Sequence, residues 1–140
     1  MTAGVIFSDL ELFLTGFIRA ELLARGKSGG LISNEFSPAG KPVPPFQVIV
    51  RDDGGPTPGR VTKLPTVGIT VLGSDDHDKA ETTDLANLVS ALMWGCARVE
   101  PGNPVAAVLE SNGPFKVPDE SGQPRRYMTF GLSVVGSPFT

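Results

Sequence analysis

The stretch YMTFGLSVV, residues 127–135, decides the fold class, because large apolar residues alternate with small or polar ones along its length. One side of the extended chain carries the large apolar side chains, which are Met128, Phe130, Leu132 and Val134. A period of two residues is typical of a β-strand with one face in the core. We therefore predict a strand here that turns one face inward.

Stretches upstream of this strand also have the composition of strands. Residues 46–50 form a short β-branched run, residues 61–72 alternate in the same way, and residues 105–110 are mainly apolar. A short run at 115–117 fits a further strand within an excursion rich in Pro and Gly. Together these stretches predict a sheet of about four to five strands.

Two helices interrupt this series of strands. Ser8 and Glu11 have the spacing of a capping box, and apolar residues then recur every three or four positions, which predicts a helix over 9–25. A second helix begins near Asp78 and ends at Gly95. The order lacks the regular alternation of strand and helix that a parallel sheet requires. The sequence thus predicts an α+β fold, in which a mostly antiparallel sheet packs against two helices and long Gly/Pro-rich loops connect the elements.

Composition limits the class of protein. The 140 residues are 40% hydrophobic, which suits one domain with one core. Seventeen Gly and thirteen Pro indicate long loops, and a single Cys excludes an internal disulfide. The net charge of -3 argues against a protein that grips nucleic acid through a basic face. The first apolar stretch carries Asp9 and Glu11, so we expect no export signal and no membrane contact.

Apolar residues remain on the outer side of both predicted helices. Leu12 and Leu23 lie opposite the core stripe of the first helix, with Arg19 between them, and Trp94 lies opposite the core stripe of the second. Scattered surface leucines are common, so one interpretation of the first helix is an ordinary solvent face. The other is a second buried face against another subunit. An exposed Trp is covered either by a loop of its own chain or by a partner.

Two loops carry charges of both signs and complete the candidate interface. The first spans 51–60 and the second lies within 111–126. We expect both to project from the domain, where they either stay solvated or form salt links with a neighbouring subunit. Their charged residues are Arg51, Asp52, Asp53, Arg60, Asp119, Glu120, Arg125 and Arg126.

The sequence contains only weak candidates for catalytic or metal-binding motifs. His77 lies among Asp75, Asp76 and Asp78, but no second His or Cys completes a transition-metal site, so capping residues are the simpler interpretation. Cys96 falls on the predicted core stripe of the second helix, where a thiol acts as a small apolar group. We therefore predict no enzymatic activity, no cofactor and no metal.

Similarity to a known family is spread over the whole chain and not concentrated in one chemical motif. The stretches that carry it are VIVRDDGG (48–55), TVGITV (66–71), the helix 79–94, ESNGP (110–114), VPDESGQPRR (117–126) and YMTF (127–130). In this pattern the chain resembles the tail terminator proteins of long-tailed bacteriophages, especially those of actinobacterial hosts.

The resemblance implies a structural virion protein at the junction of tail and neck, assembled in the host cytoplasm. It implies a homo-oligomer, a hexameric ring that caps the tail tube, stops its polymerisation and joins it to the head. The implied partners are the tail tube protein and a head-completion or stopper protein. DNA would pass through the ring without specific binding, since six acidic subunits around a pore repel phosphate.

Two other classes remain open at this point. Another neck component, such as a head-tail connector or a head-closure adaptor, has a similar size and would also be a binding module without catalysis. An enzyme would need a polar constellation, for which a metal at His77 is the one candidate.

Overall fold

A computed structural model describes residues 4–38, 43–75 and 78–139. Within these ranges the chain is an α+β fold with two helices and a mostly antiparallel sheet, which confirms the broad class. The elements in chain order are β1 (Gly4–Ile6), α1 (Leu10–Ala24), β2 (Leu31–Ser33), β3 (Phe46–Asp52), β4 (Thr62–Lys63), β5 (Thr66–Gly73), α2 (Lys79–Trp94), β6 (Val105–Lys116), β7 (Arg125–Val135) and β8 (Ser137–Phe139).

Strand β7 is central to the main sheet. It pairs antiparallel with β5 and β4 on one side and with β6 along the other. Beyond β5 follow β3, which is antiparallel to it, and β2, which is parallel to β3. Burial alternates along β7 with the period that the sequence predicts, from Met128 to Val134. Strands β1 and β8 form a separate antiparallel ribbon.

The main sheet has six strands in the described ranges, more than the four to five predicted. One reason is that residues 61–72 form two strands, because Pro65 has no N–H to donate to a ladder. The carbonyl of Pro65 still accepts a hydrogen bond from Leu132 N at 3.0 Å, so β4 and β5 lie end to end along β7. The second reason is β2, which lies in a stretch predicted as loop and is held by its pairing with β3.

The core lies between one face of the sheet and both helices. Helix α1 packs on β2 and β3, while α2 packs on β5, β6 and β7. The buried side chains of α1 follow its predicted stripe from Leu10 to Ile18 and extend it to Leu22. Cys96, just after α2, is also buried in this core. Both helices therefore have one side that faces away from the core.

Helix α1 begins one residue later than its capping box predicts. Asp9 and not Ser8 is the N-cap, and its carboxylate accepts a hydrogen bond from Leu12 N at 3.0 Å. Glu11, the expected partner of Ser8, instead accepts hydrogen bonds from Asp52 N at 2.7 Å and Asn34 Nδ2 at 3.0 Å. The carboxylate thus connects the start of the helix to the end of β3 and to the segment that follows β2.

The second predicted loop is much shorter than expected. Strand β6 continues to Lys116 and β7 begins at Arg125, so the excursion covers only residues 117–124. Arg125 and Arg126 are consequently strand residues, and their prediction as loop residues is wrong. The loop after β3 stays long, but Asp53 N and Gly54 O both bond to Thr66, which extends the β3–β5 pairing at its base.

Candidate subunit interface

The outer face of α1 carries two exposed leucines, with Arg19 and two small residues between them. Leu12 is 71% exposed and Leu23 is 63% exposed. Eleven residues separate them, so they lie on the same side of the helix, about 16 Å apart along its axis. Gly16 and Ala20 lie between them, and no atom lies within 4 Å of where a Cβ on Gly16 would stand. Small residues between two leucines leave a shallow surface that a neighbouring element could approach closely.

Arg19 belongs to the predicted interface set, but its guanidinium turns toward its own chain. Its Nη2 donates a hydrogen bond to the carbonyl of Ile32 at 2.7 Å. Ile32 lies in β2, at the border of the sheet, where carbonyls that face outward need partners. Arg19 therefore covers part of this edge of the sheet.

Glu21 forms ion pairs with two arginines near the C-terminal end of α1. Its carboxylate pairs with Arg25 at 2.7 Å and with Arg98 at 2.8 Å. Hydrogen bonds from these two guanidinium groups lower the pKa of Glu21 below its ordinary value of 4.5. The guanidinium of Arg98 also lies 5.0 Å from the ring centroid of Phe17. The turn that follows α2 is thereby fixed against α1.

Trp94 lies at the end of α2 and is 51% exposed. The sequence places it opposite the core stripe, but one ring edge meets buried Phe130 at a centroid distance of 6.4 Å and an angle of 76°. Its own chain thus covers half of the indole. Because Phe130 belongs to β7, Trp94 at the end of α2 contacts the central strand of the sheet.

Strand β6 is a further candidate for the interface, and the predicted interface residues include none of its positions. Its described pairing is with β7 alone, so the backbone groups along its other side form an open edge. Leu109, at an irregularity in the ladder, and Phe115 both stand exposed on this strand. The signal available in the sequence is the apolar run within 105–110, which the sequence predicts as a strand without indicating that its outer edge is open.

The charged residues of the first loop are all exposed. Arg51 and Asp52 form the last part of β3, and Asp53 and Arg60 follow in the loop. The carboxylate of Asp52 accepts a hydrogen bond from Gly54 N at 2.9 Å, which shapes the turn. All four residues keep the surface position that the sequence predicts, but the prediction of Arg51 and Asp52 as loop residues is wrong, because β3 extends through them.

The charges of the second loop partly satisfy one another. Asp119 pairs with Arg125 at 3.3 Å, and its pKa is lowered, chiefly by a hydrogen bond from the Ser121 hydroxyl. Glu120 is exposed. Arg126 is 8% exposed, and its Nη2 donates to Thr83 Oγ1 at 3.0 Å. Extending the alternation of β7 by one step before Met128 would have placed Arg126 inward.

The described residues contain no group of three or more His, Cys, Asp or Glu that could hold a metal ion. Asp76 and His77, the residues of the predicted metal candidate, lie outside the described residues. Burial raises the pKa of the Cys96 thiol to about 11. A thiol in that state is a poor nucleophile at neutral pH.

No helix in the described part of the chain is long and apolar enough to cross a membrane. No protein-family model matches the chain, and no curated protein is significantly similar to it.

Proposed function

We propose that the chain is a tail terminator, a structural protein that forms a ring on the tail tube of a long-tailed bacteriophage. The observation that carries the proposal is the uncovered apolar surface on both sides of the domain, with Leu12 and Leu23 on α1 and Leu109 and Phe115 on the β6 edge. Isolated apolar residues are ordinary on a surface, but aligned or neighbouring ones mark contacts between proteins. The whole-chain sequence resemblance supports the same reading.

Two separate contact surfaces suit a ring. When a subunit uses one surface to bind a different surface of the next copy, the contacts repeat and close if the rotation fits. A hexamer is the copy number implied by the resemblance. Such a ring stops tube growth by presenting one face that binds the last tube ring and another that does not recruit more tube protein. The mechanism needs neither catalysis nor a cofactor.

In this proposal, one face of the ring binds the tail tube protein and the other binds a head-completion or stopper protein. DNA passes through the centre, and the net charge of -3 per subunit disfavours adhesion of its phosphates to the ring. The protein is then a component of the virion at the junction of tail and neck.

A phage with an early stop codon in this gene tests the proposal by negative-stain microscopy. A terminator predicts overlong tubes without heads, and a plasmid copy of the gene restores normal tails. Tails of normal length beside DNA-filled heads would instead assign the protein to the head side, as a connector or head-closure adaptor. Intact infectious particles would contradict both roles.

A further inference from the structure

A basic depression lies where β6, β7 and the start of α2 meet. Its volume is about 400 Å³. The cations that line it are Lys79, Lys116, Arg125 and Arg126. Asp119 is the acidic residue of the lining, and it is already paired with Arg125. In a protein of net charge -3, a concentration of positive charge in one hollow indicates an anionic partner.

The guanidinium groups of the depression are incompletely satisfied. Arg126 is buried and bonds to the carbonyl of Arg125 and the hydroxyl of Thr83, and no carboxylate of the described residues pairs with it. The Nε of Arg125 is buried without a hydrogen-bond partner. Buried charges are normally paired, because an unpaired charge in a low dielectric is destabilising. Arg126 therefore lacks a counter-charge among the described residues.

A complementary projection exists elsewhere on the same chain, at the turn 98–103. Val99 is completely exposed, and Glu100 next to it is exposed as well, with a side-chain carboxylate that makes no hydrogen bond or ion pair with any described residue. The turn is held by hydrogen bonds within the chain. Asn103 Nδ2 donates to the carbonyls of Cys96 and Arg98 at 2.8 and 3.0 Å, and Arg98 is paired with Glu21. The domain therefore presents an apolar and an acidic side chain on a preorganised support.

The two features lie at opposite ends of the same elements. Lys79 begins α2 and Lys116 ends β6, whereas the turn lies between the end of α2 and the start of β6. A helix of this length spans about 24 Å, so one subunit cannot bring its own turn into its own depression. The apolar wall of the depression, formed by Val117, Pro118 and Pro124, matches Val99 as the cations match Glu100.

We propose that Val99 and Glu100 of one copy dock in the basic depression of the next copy. The occupant is a second copy of this chain, and Glu100 supplies the carboxylate that the buried guanidinium of Arg126 lacks. The contact is head-to-tail, so it propagates from subunit to subunit and forms a ring when it closes. This inference rests on the proposed assembly of identical copies and identifies the contact that builds it.

Cysteine cross-linking of the concentrated purified protein tests the contact. The double variant Glu100→Cys/Lys116→Cys should give a reducible ladder of dimers and higher species under mild oxidation. A mixture of the two single variants should stop at dimers, because each copy then offers one half of one contact. Neither single variant alone should cross-link, and Cys96 does not compete because it is buried.

Charge exchange provides the second arm of the test. Glu100→Lys and Lys116→Glu should each weaken association about tenfold or more, as for close interfacial charge pairs, and the double variant should recover much of the loss. Both positions are exposed, so circular dichroism should match the unaltered protein. Glu120→Lys is a matched control at another exposed acidic position, and it should have little effect.

Several results would overturn the inference. They are a double-cysteine variant that stays monomeric, a single variant that dimerises efficiently with itself, and charge reversals that do not compensate. A different outcome combines two results: the double-cysteine variant gives no ladder, and the unaltered protein binds duplex DNA whereas Lys116→Glu does not. That outcome would assign the depression to a phosphate backbone instead. These outcomes concern how two copies meet, whereas the stop-codon phenotype concerns the role in the tail, so each proposal can fail without the other.

Discussion

The Glu21 carboxylate accepts a hydrogen bond from Arg98 at 2.8 Å, across 77 positions of the chain. This contact joins the end of α1 to the turn that follows α2. Arg98 also donates to the carbonyl of Gly95 at 3.0 Å, so its guanidinium closes the end of one helix and binds the side of the other. The ion pair therefore has two effects, on the stability of the helix layer and on the position of the turn.

Replacing Glu21 by Gln should lower the free energy of unfolding near neutral pH by about 1 kcal/mol or less, the range for exposed ion pairs. The pKa of Glu21 is lowered in the folded state, so its contribution is present above the ordinary value of 4.5 and is lost as the pH falls through the folded value. Urea unfolding at neutral and acidic pH measures this change. If the variant and the unaltered protein differ equally at both pH values, charge is not the cause.

Changing Leu12 or Leu23 to Asp should leave folding nearly unchanged, because both side chains are mostly exposed. Association of subunits should weaken strongly, since a charge would enter an apolar contact. Sedimentation measures association and thermal melting measures stability. Asn87→Asp adds the same charge at an exposed position of α2 and should alter neither. In contrast, Leu14→Ala in the core should lower stability by about 2–5 kcal/mol.

Trp94 is the one tryptophan of the sequence, so its fluorescence reports on its environment without interference. Half of the ring is exposed in the single chain, and we expect its emission to move to shorter wavelength when subunits assemble. Trp94→Ala should weaken association by about 2 kcal/mol or more if the indole is a central anchor. An emission maximum that is identical in monomer and assembly would show that Trp94 does not lie in the interface.

Gly55 should be the sensitive glycine of the 51–60 loop. A Cβ at this position would overlap the carbonyl oxygen of Leu64 and approach Pro65 Cα to 2.9 Å. Gly55→Ala should therefore displace the loop and lower the free energy of unfolding by about 1–3 kcal/mol. Gly59→Ala is the matched control, because no atom lies within 4 Å of its Cβ position. Equal melting temperatures for the two variants would contradict the close approach.

Local patterns predicted the parts of the fold that depend on local interactions. The alternation in β7 and the helical periods of α1 and α2 each extend over several residues, and all three elements lie where the sequence places them. Strand β2 is three residues long and depends on its pairing with β3, so its own residues carry no comparable signal. The break before β5 was readable, since Pro65 cannot take part as a donor.

The candidate interface was predicted less completely than the fold. Exposure of Leu12, Leu23 and Trp94 follows from helical periodicity, which is a local property. The contacts of Arg19 and Arg126 were not predictable in the same way, because their partners come from elements distant in sequence. The depression next to Lys116 likewise exists only after β6, β7 and α2 have met. Pairing between distant segments is the information that the sequence pattern lacks.

The position of β7 in the chain has a consequence for synthesis. Every other strand of the six-stranded sheet precedes it, yet β7 is the strand on which β4, β5 and β6 all pair. A nascent chain therefore leaves the ribosome with its helices and outer strands made but with no central strand to join them. The sheet can close only after residue 135 has emerged, because its contacts are long-range. Chains that terminate before β7 would thus fail to complete the sheet and would not enter any assembly of this protein. Only fully translated chains would become subunits.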